Sequence, residues 1–292
     1  MTSHKPLGLI AAPAIFLLLW SAGFSVAKLG LQYAEPISFL ALRYATVLAI
    51  MAPLFLIMRP PLPARRIEWL HLFIVGFLIQ AVYFGLCYIA LKYGVSAGGV
   101  AIIIGLQPIL VGLIAPHFAG ERVSLVRWAG LILGIAGAAT VIAARSGVAL
   151  ENPLGVLATV GGLLGITAGT LWEKRFGLNH HPIVSNGVQY FAGLTGTLPM
   201  ALALEHFSFT WTTEFIAAYA YLVIGNSIVA MTLLLAMIRA GEVARVSSLF
   251  YLVPPLTALI AWPLLGEAMP LLGWIGFLLA AIGVALANRK PA

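Results

Sequence analysis

The chain has 292 residues, of which 62% are hydrophobic and only 9% are charged, and its formal net charge is +7. Soluble domains carry roughly 25% charged residues, so this composition excludes a soluble protein and indicates an integral membrane protein in contact with a lipid bilayer. The excess of basic residues fits membrane topology by its distribution along the chain, and we expect no nucleic-acid partner.

The apolar stretches of the chain are long enough to cross a membrane ten times. A helical crossing needs about 20 residues, and prolines mark several of the starts, as at Pro36, Pro153 and Pro182. In chain order the predicted spans cover residues 7–27, 36–58, 69–91, 97–118, 125–144, 153–173, 182–204, 214–237, 243–265 and 270–287. We therefore predict an all-α integral membrane protein with ten transmembrane helices.

Basic residues fall unevenly on the two ends of these spans. If the N-terminus is cytoplasmic, twelve Lys and Arg residues lie on the cytoplasmic side and three, Lys28, Lys92 and Arg145, on the other side. Arg43 lies inside the second span. Because cytoplasmic loops carry such an excess of basic residues, we predict a multi-pass protein of the cell inner membrane with both termini cytoplasmic.

The two halves of the sequence, 1–146 and 147–292, repeat one pattern. An offset of 146 residues superimposes them, and the matched pairs include Lys28 with Lys174, Gln80 with Asn226 and Trp128 with Trp274. Each half holds five predicted spans, an odd number, so the second half enters the membrane from the opposite side. We predict two five-helix repeats of inverted topology, an architecture of secondary transporters whose sites lie near the membrane midplane.

Short motifs in both halves resemble one transporter family. The first half has LWSAGFS at residues 19–25 and LRY at 42–44, and it closes with GERVS at 120–124, which the second half echoes with Gly-Glu at 266–267. These motifs are similar to those of the drug/metabolite transporter superfamily in its EamA-domain branch. Within it, the chain is most similar overall to the YddG-type exporters of aromatic and other amino acids. The resemblance implies a central cavity lined mainly by the first, third, fourth, sixth, eighth and ninth spans.

Hydroxyl side chains lie at matching points of the first and sixth spans. Ser21 and Ser25 share one helical face, as do Thr167 and Thr170, and Ser21 is the repeat mate of Thr167. A hydroxyl in a membrane helix can also bond to its own backbone or bridge two helices. Because the faces match in both halves, we predict that Ser21, Thr167 and Thr170 line the cavity.

The third and eighth spans each carry an amide at mid-span. Gln80, Tyr83 and Cys87 form one stripe on the third span, and Gln80 is the repeat mate of Asn226. An amide offers donors and an acceptor, which suits either a zwitterionic substrate or a bond between helices. We predict that Gln80, Tyr83 and Asn226 bind substrate, and that Tyr88, which lies off the stripe, serves packing.

Prolines interrupt the fourth and ninth spans at matching positions, namely Pro108 and the pair Pro254 and Pro255. A proline within a helix removes a hydrogen bond and kinks it, and paired interruptions in the two halves point to a transport site. A kink of purely structural value is the alternative. We predict a hinge at these prolines. Polar side chains close to them are predicted to bind substrate: Gln107, Ser247 and Tyr251.

Two further residues lie deep in the early spans. The family resemblance favours a cavity position for Trp20, which could otherwise face lipid. Arg43 is seven residues into the second span, about 10 Å by helical rise, so we expect it to reach the outer membrane surface and to serve structure. Glu121 and Glu267 lie in turns before the fifth and tenth spans, where we expect them to cap or brace.

We predict a secondary transporter that exports amino acids, including aromatic ones, or similar small amphipathic metabolites by alternating access. All nine acidic residues are Glu and none lies deep in a span, so we expect uncoupled, downhill transport. We expect no catalytic residue and no cofactor, and no metal because the histidines lack ligand spacing. The alternatives are a multidrug or other metabolite exporter and a non-transporting assembly protein. The oligomeric state stays open and is compatible with a monomer.

Overall fold

The computed structural model describes residues 7–118, 125–146, 152–176, 180–239 and 252–287. In these ranges the ordered elements are helices: α1 (Leu7–Gly30), α2 (Pro36–Met58), α3 (Arg66–Lys92), α4 (Ala97–Ile104), α5 (Gln107–Phe118), α6 (Leu125–Ser146), α7 (Pro153–Phe176), α8 (Pro182–Leu204), α9 (residues 213–239), α10 (Val253–Leu265) and α11 (Leu271–Ala287). A single antiparallel bridge joins Ala34 to Phe209. The described chain is therefore essentially all-helical.

Many of these helices are long and apolar enough to cross a membrane. Six described stretches meet both criteria: Ala11–Gly30, Pro36–Met58, Arg66–Lys92, Ala97–Ile114, Pro153–Phe176 and Thr213–Leu234. The shorter apolar helices are Trp128–Val141, Val253–Leu265 and Leu271–Leu286. Large apolar side chains cover the outside of the bundle, and Leu56 and Leu271 expose 70% and 79% of their surface. A multi-pass membrane protein explains this outward apolar surface, because lipid takes the place of water around it.

The fourth predicted span is divided into two helices. An interruption was expected at Pro108, and the structure places it just before this residue: α4 ends at Ile104 and α5 begins at Gln107. Pro108 is thus the second residue of α5, a position where its missing N–H costs no helical hydrogen bond. An added Cβ at Gly105 would lie 3.2 Å from Pro254 Cγ, so this break packs beside the prolines that open α10.

Helices pack in pairs that respect the sequence repeat. The mates α2 and α8 contact each other, as do the mates α6 and α11. Helix α1 contacts α9 and α10, and its mate α7 contacts the equivalent helices α3, α4 and α5. Exchanging each helix for its mate therefore exchanges one set of contacts for the other.

Glycines bring α6 and α11 into backbone contact. An added Cβ at Gly137 would lie 2.4 Å from the amide nitrogen of Ala280, and one at Gly276 would lie 2.7 Å from the carbonyl oxygen of Gly137. Gly283 packs in the same way against Gly134. Any side chain at these points would separate the helices, which is the role of small residues in membrane helix packing.

Ion pairs connect the helix ends that carry Lys28 and Lys92. Lys28 Nζ lies 2.5 Å from Glu267 Oε1 and donates to the carbonyl oxygen of Val95 at 2.9 Å. The second oxygen of Glu267 accepts from the backbone N–H of Ala97 at 3.0 Å. Glu267 therefore caps α4, while Glu121 lies outside the described residues.

The same end of the bundle holds a second carboxylate cap. Glu205 follows α8, and its two oxygens accept from the backbone N–H groups of Ile37 at 3.0 Å and Ser38 at 2.7 Å. A carboxylate is favoured at a helix N-terminus by the free N–H groups and by the helix dipole. The start of α2 is thereby fixed to the end of its repeat mate.

Candidate functional site

The two mid-span amides lie on matching π-helical segments. Residues Phe77–Tyr83 of α3 and Tyr221–Ala230 of α9 are π-helical, and they contain Gln80 and Asn226 respectively. Such widened turns are rare and occur mostly at functional sites, because they redirect side chains and leave backbone groups for other partners. The repeat of this distortion at equivalent positions marks the centre of both halves.

A narrow cavity opens between α1, α2, α3 and α9 at this level. Its lining residues are Trp20, Gly23, Phe24, Arg43, Tyr83, Phe84, Tyr88, Leu222 and Asn226. The empty volume is about 320 Å³ including the open mouth, but the centre of a water molecule can move within only about 20 Å³. A substrate would therefore have to displace lining side chains. Five of the nine lining residues are aromatic, and Arg43 and Asn226 add charged and amide groups.

Arg43 is the centre of the polar groups at this cavity, contrary to the expectation that it reaches the membrane surface. Only 3% of its surface is exposed. Its guanidinium donates three hydrogen bonds: Nε to Ser227 Oγ at 2.9 Å, Nη1 to Tyr88 OH at 3.0 Å and Nη2 to Asn226 Oδ1 at 3.1 Å. Its Cζ also lies 5.5 Å from the centre of the Phe84 ring. These interior partners replace the water that the long side chain could otherwise seek.

Asn226 is held so that its oxygen faces Arg43. Its Nδ2 donates to the carbonyl oxygen of Leu19 at 3.2 Å, and the same carbonyl accepts from Tyr221 OH at 2.9 Å. An added Cβ at Gly23 would lie only 2.7 Å from Asn226 Nδ2. The glycine in the first-half motif therefore makes room for the amide of the second half.

Tyr88 lines the cavity, whereas it was expected to serve packing. The π-helical turn places more residues in one turn than an α-helix does, so the face that α3 presents beyond Tyr83 is rotated. Cys87 of the predicted stripe turns toward α7, where an added Cβ at Gly162 would lie 3.1 Å from its Sγ. Tyr83, Phe84 and Tyr88 face the cavity instead.

Three of the predicted site residues, Trp20, Tyr83 and Asn226, come together in this cavity. Gln80 is buried beside it, and its backbone carbonyl accepts from Tyr44 OH at 2.7 Å. Ser21 is fully buried, and its backbone carbonyl accepts from Thr257 Oγ1 of α10 at 2.9 Å. A substrate role for Gln80 and Ser21 stays a prediction.

The other predicted site residues lie on α5 and α7 or beyond the described ranges. Thr167 Oγ1 donates to the carbonyl oxygen of Leu163 at 2.6 Å, one turn earlier in its own helix. Gln107 Nε2 donates to Thr170 Oγ1 at 3.0 Å and so joins α5 to α7. Ser247 and Tyr251 lie outside the described residues.

Sequence reasoning missed Arg43 and Tyr88 as cavity residues. A usable signal was that Arg43 lies inside a predicted span, where a buried charge needs polar partners. Among the described residues, no group of three or more His, Cys, Asp or Glu side chains could hold a metal ion.

A family model described as "EamA-like transporter family" matches residues 7–143 and again 153–289. The two matches repeat the division into halves seen in the sequence. A solved crystal structure covers 97% of this chain and is itself covered to 97%, with a TM-score of 0.64 at 22% identity. At that identity the similarity shows the fold alone.

Several named transporters are similar over nearly the whole chain. YvbV, an uncharacterised transporter of Bacillus subtilis (strain 168), is 26% identical over 95% of this chain and 90% of its own length. A probable terminal-alkyne amino-acid exporter of Streptantibioticus cattleyicolor is 27% identical, covering 96% and 93%. A probable amino-acid metabolite efflux pump of Salmonella typhimurium (strain LT2) is 23% identical, covering 92% and 91%.

Proposed function

The chain belongs to the EamA-like transporter family, and on that premise we propose that it exports amino acids, including aromatic ones, or similar small amphipathic metabolites. Family membership confirms the resemblance found in the sequence, and similarity to the YddG-type exporters stays part of the proposal. Relatives named as an amino-acid exporter and an amino-acid metabolite efflux pump support this substrate class.

The observation that carries the proposal is the combination of aromatic and polar side chains in the cavity lining. Trp20, Phe24 and Phe84 offer apolar and aromatic surface, while Arg43 and Asn226 offer charged and amide groups in the same lining. Pockets that orient small ligands combine apolar walls with a few fixed polar groups in this way. An amphipathic metabolite would place its polar end at Arg43 and Asn226, and its apolar body against the aromatic rings.

We propose that residues 1–146 and 147–292 form two inverted five-helix repeats that cross the inner membrane ten times in total, with both termini in the cytoplasm. The uneven distribution of basic residues supports the orientation. The exchange of contacts between repeat mates supports a common axis. The break before Pro108 and the prolines at the start of α10 would let α5 and α10 tilt as access alternates.

Counterflow in proteoliposomes tests the function directly. Vesicles loaded with unlabelled phenylalanine should accumulate labelled phenylalanine transiently, and aromatic and aliphatic amino acids should compete. Asn226→Ala should slow counterflow, whereas Asn186→Ala, a half-exposed amide outside the cavity lining, should leave it unchanged. Competition by lipophilic drugs or nucleotide sugars alone would favour another exporter of the family. No counterflow with any of these substrates would favour an assembly protein.

Transport in this proposal is downhill and uncoupled, because none of the nine glutamates lies deep in a predicted span. An imposed pH difference across the vesicle membrane should therefore leave the final phenylalanine distribution equal on both sides. Accumulation against the gradient under that pH difference would overturn the uncoupled mechanism while leaving the substrate class intact.

A further inference from the structure

We propose that Arg43 binds the carboxylate of the substrate, and that the substrate's amino group is dispensable. The site would then take small monocarboxylates with an apolar or aromatic body, of which amino acids are one group. This inference rests on the proposed function, because it concerns the same cavity.

Arg43 carries a positive charge in the membrane interior without a counter-ion in the part of the chain that the structure describes. Its three hydrogen-bond acceptors are a serine hydroxyl, a tyrosine hydroxyl and an amide, all of them neutral. The carboxylates of Glu35, Glu205 and Glu267 are engaged at one end of the bundle, with Lys92, the start of α2 and Lys28. A buried charge of this kind gains more from an anion than a solvated one does.

The hydrogen bonds that Arg43 makes with the described residues leave N–H groups of the guanidinium for such an anion. A guanidinium has five N–H groups, and the contacts with described residues use one on each of its three nitrogens. One N–H therefore remains on Nη1 and one on Nη2 of Arg43. Two parallel N–H groups on the terminal nitrogens are the fork that binds a carboxylate through both of its oxygens.

The neighbours of Arg43 accept its hydrogen bonds, but they are neutral and do not balance its charge. Ser227 Oγ donates its own proton to the carbonyl oxygen of Leu222 at 3.0 Å, so a lone pair faces Arg43. The oxygen of Asn226 faces it because the amide nitrogen is bound to Leu19. Tyr88 accepts from Arg43, which leaves the phenolic proton for a ligand oxygen.

The cavity lining offers no counter-charge to an ammonium group. None of the described residues that line it is a carboxylate, whereas aromatic rings surround the guanidinium, with Phe84 nearest. An amino acid would therefore be held by its carboxylate and its side chain. Removal of the amino group should cost little, while removal of the carboxylate charge should cost the whole ionic contact.

Competition against the counterflow of labelled phenylalanine separates the contribution of the substrate's carboxylate from that of its amino group. The probes are 3-phenylpropionate, which keeps the carboxylate and lacks the amine, and phenylalaninamide, which keeps the amine and lacks the carboxylate. We expect 3-phenylpropionate to inhibit within about threefold of phenylalanine, and phenylalaninamide to be about 10- to 100-fold weaker, as expected for loss of a charge-assisted pair. Equal inhibition, or stronger inhibition by the amide, would overturn the inference.

Substitution of Arg43 assigns the effect to this residue. Arg43→Gln introduces the side chain type that the repeat mate Gln189 carries, and Arg66→Gln, at an exposed position, is the matched control. In Arg43→Gln the preference for phenylalanine over phenylalaninamide should fall to about twofold or less, and Arg43→Lys should restore part of it. A purely structural Arg43 would lower both affinities in proportion and keep the ratio, which contradicts the proposal.

The outcomes distinguish this inference from the function on which it rests. Absence of phenylalanine counterflow in the unmodified protein refutes both. Counterflow with a preference for the amide refutes the carboxylate role of Arg43 and leaves the exporter function standing. If Arg43→Gln does not fold, the comparison of the two probes on the unmodified protein decides alone.

Discussion

Gly23→Ala should weaken substrate binding by displacing Asn226. The new Cβ would lie 2.7 Å from Asn226 Nδ2, which is about 0.7 Å inside the 3.4 Å limit of ordinary contact. The amide therefore has to move. It is held between Leu19 at 3.2 Å and Arg43 at 3.1 Å, and a displacement of this size breaks one of the two hydrogen bonds.

The size of the effect follows from the bond to Arg43. Hydrogen bonds to charged groups contribute about 1.5–3 kcal/mol. At 3.1 Å this one is longer than the roughly 2.7–2.9 Å of strong charge-assisted bonds, so the lower value applies. With one of its three anchors lost, Arg43 has to be ordered by the substrate itself. We expect the half-saturating phenylalanine concentration to rise about tenfold, which corresponds to about 1.4 kcal/mol.

Counterflow in proteoliposomes at a series of phenylalanine concentrations measures the half-saturating concentration. The maximal rate should stay within about twofold of that of the unmodified protein. Gly187→Ala is the control, because an added Cβ there meets nothing within 4 Å. In an Asn226→Ala background the Gly23→Ala substitution should have no further effect, since the clashing amide is gone. Equal half-saturation in both glycine variants, or a full tenfold effect that persists without Asn226, would refute the reasoning.

Three other outcomes follow from the packing. Glu267→Gln removes the charge that pairs with Lys28 and caps α4, and should lower the unfolding free energy in detergent by about 1–3 kcal/mol, whereas the exposed Glu214→Gln should not. Gly137→Val should separate α6 from α11 and reduce the yield of monodisperse protein, while Ala136→Val on the exposed face of α6 should be tolerated; equal yields would contradict backbone contact. Cys87 is fully buried, so a water-soluble maleimide should label it only after denaturation, and rapid labelling of the folded protein would contradict its packing.

The helices and the family were predictable because they follow from properties that act along the chain. A run of about 20 apolar residues has few alternatives to a membrane helix, and the described helices overlap the predicted spans. The repeat also pairs Gln80 with Asn226, and both residues lie on π-helical segments.

The geometry around Arg43 was not predictable, because it depends on contacts between helices and on a local departure from α-helical periodicity. Sequence spacing assumed 3.6 residues per turn throughout α3, and the π-helical segment breaks that assumption at Gln80. Tyr88 and Cys87 consequently exchange the faces expected of them. The side chain of Arg43 is long enough to reach either water at the end of α2 or partners inside the bundle. The position of α9, which carries Ser227 and Asn226, decides between the two.

The cap that Glu267 places on α4 has a consequence for biosynthesis. The residues that it joins, Ala97 and Glu267, are 170 positions apart and belong to different halves. At about 5–20 residues per second, the first half spends roughly 10–30 s in the membrane before its helix cap and the counter-ion of Lys28 have been made. The first half therefore has to wait in an incomplete state during translation. A gene split between the halves should yield stable protein only when both parts are co-expressed.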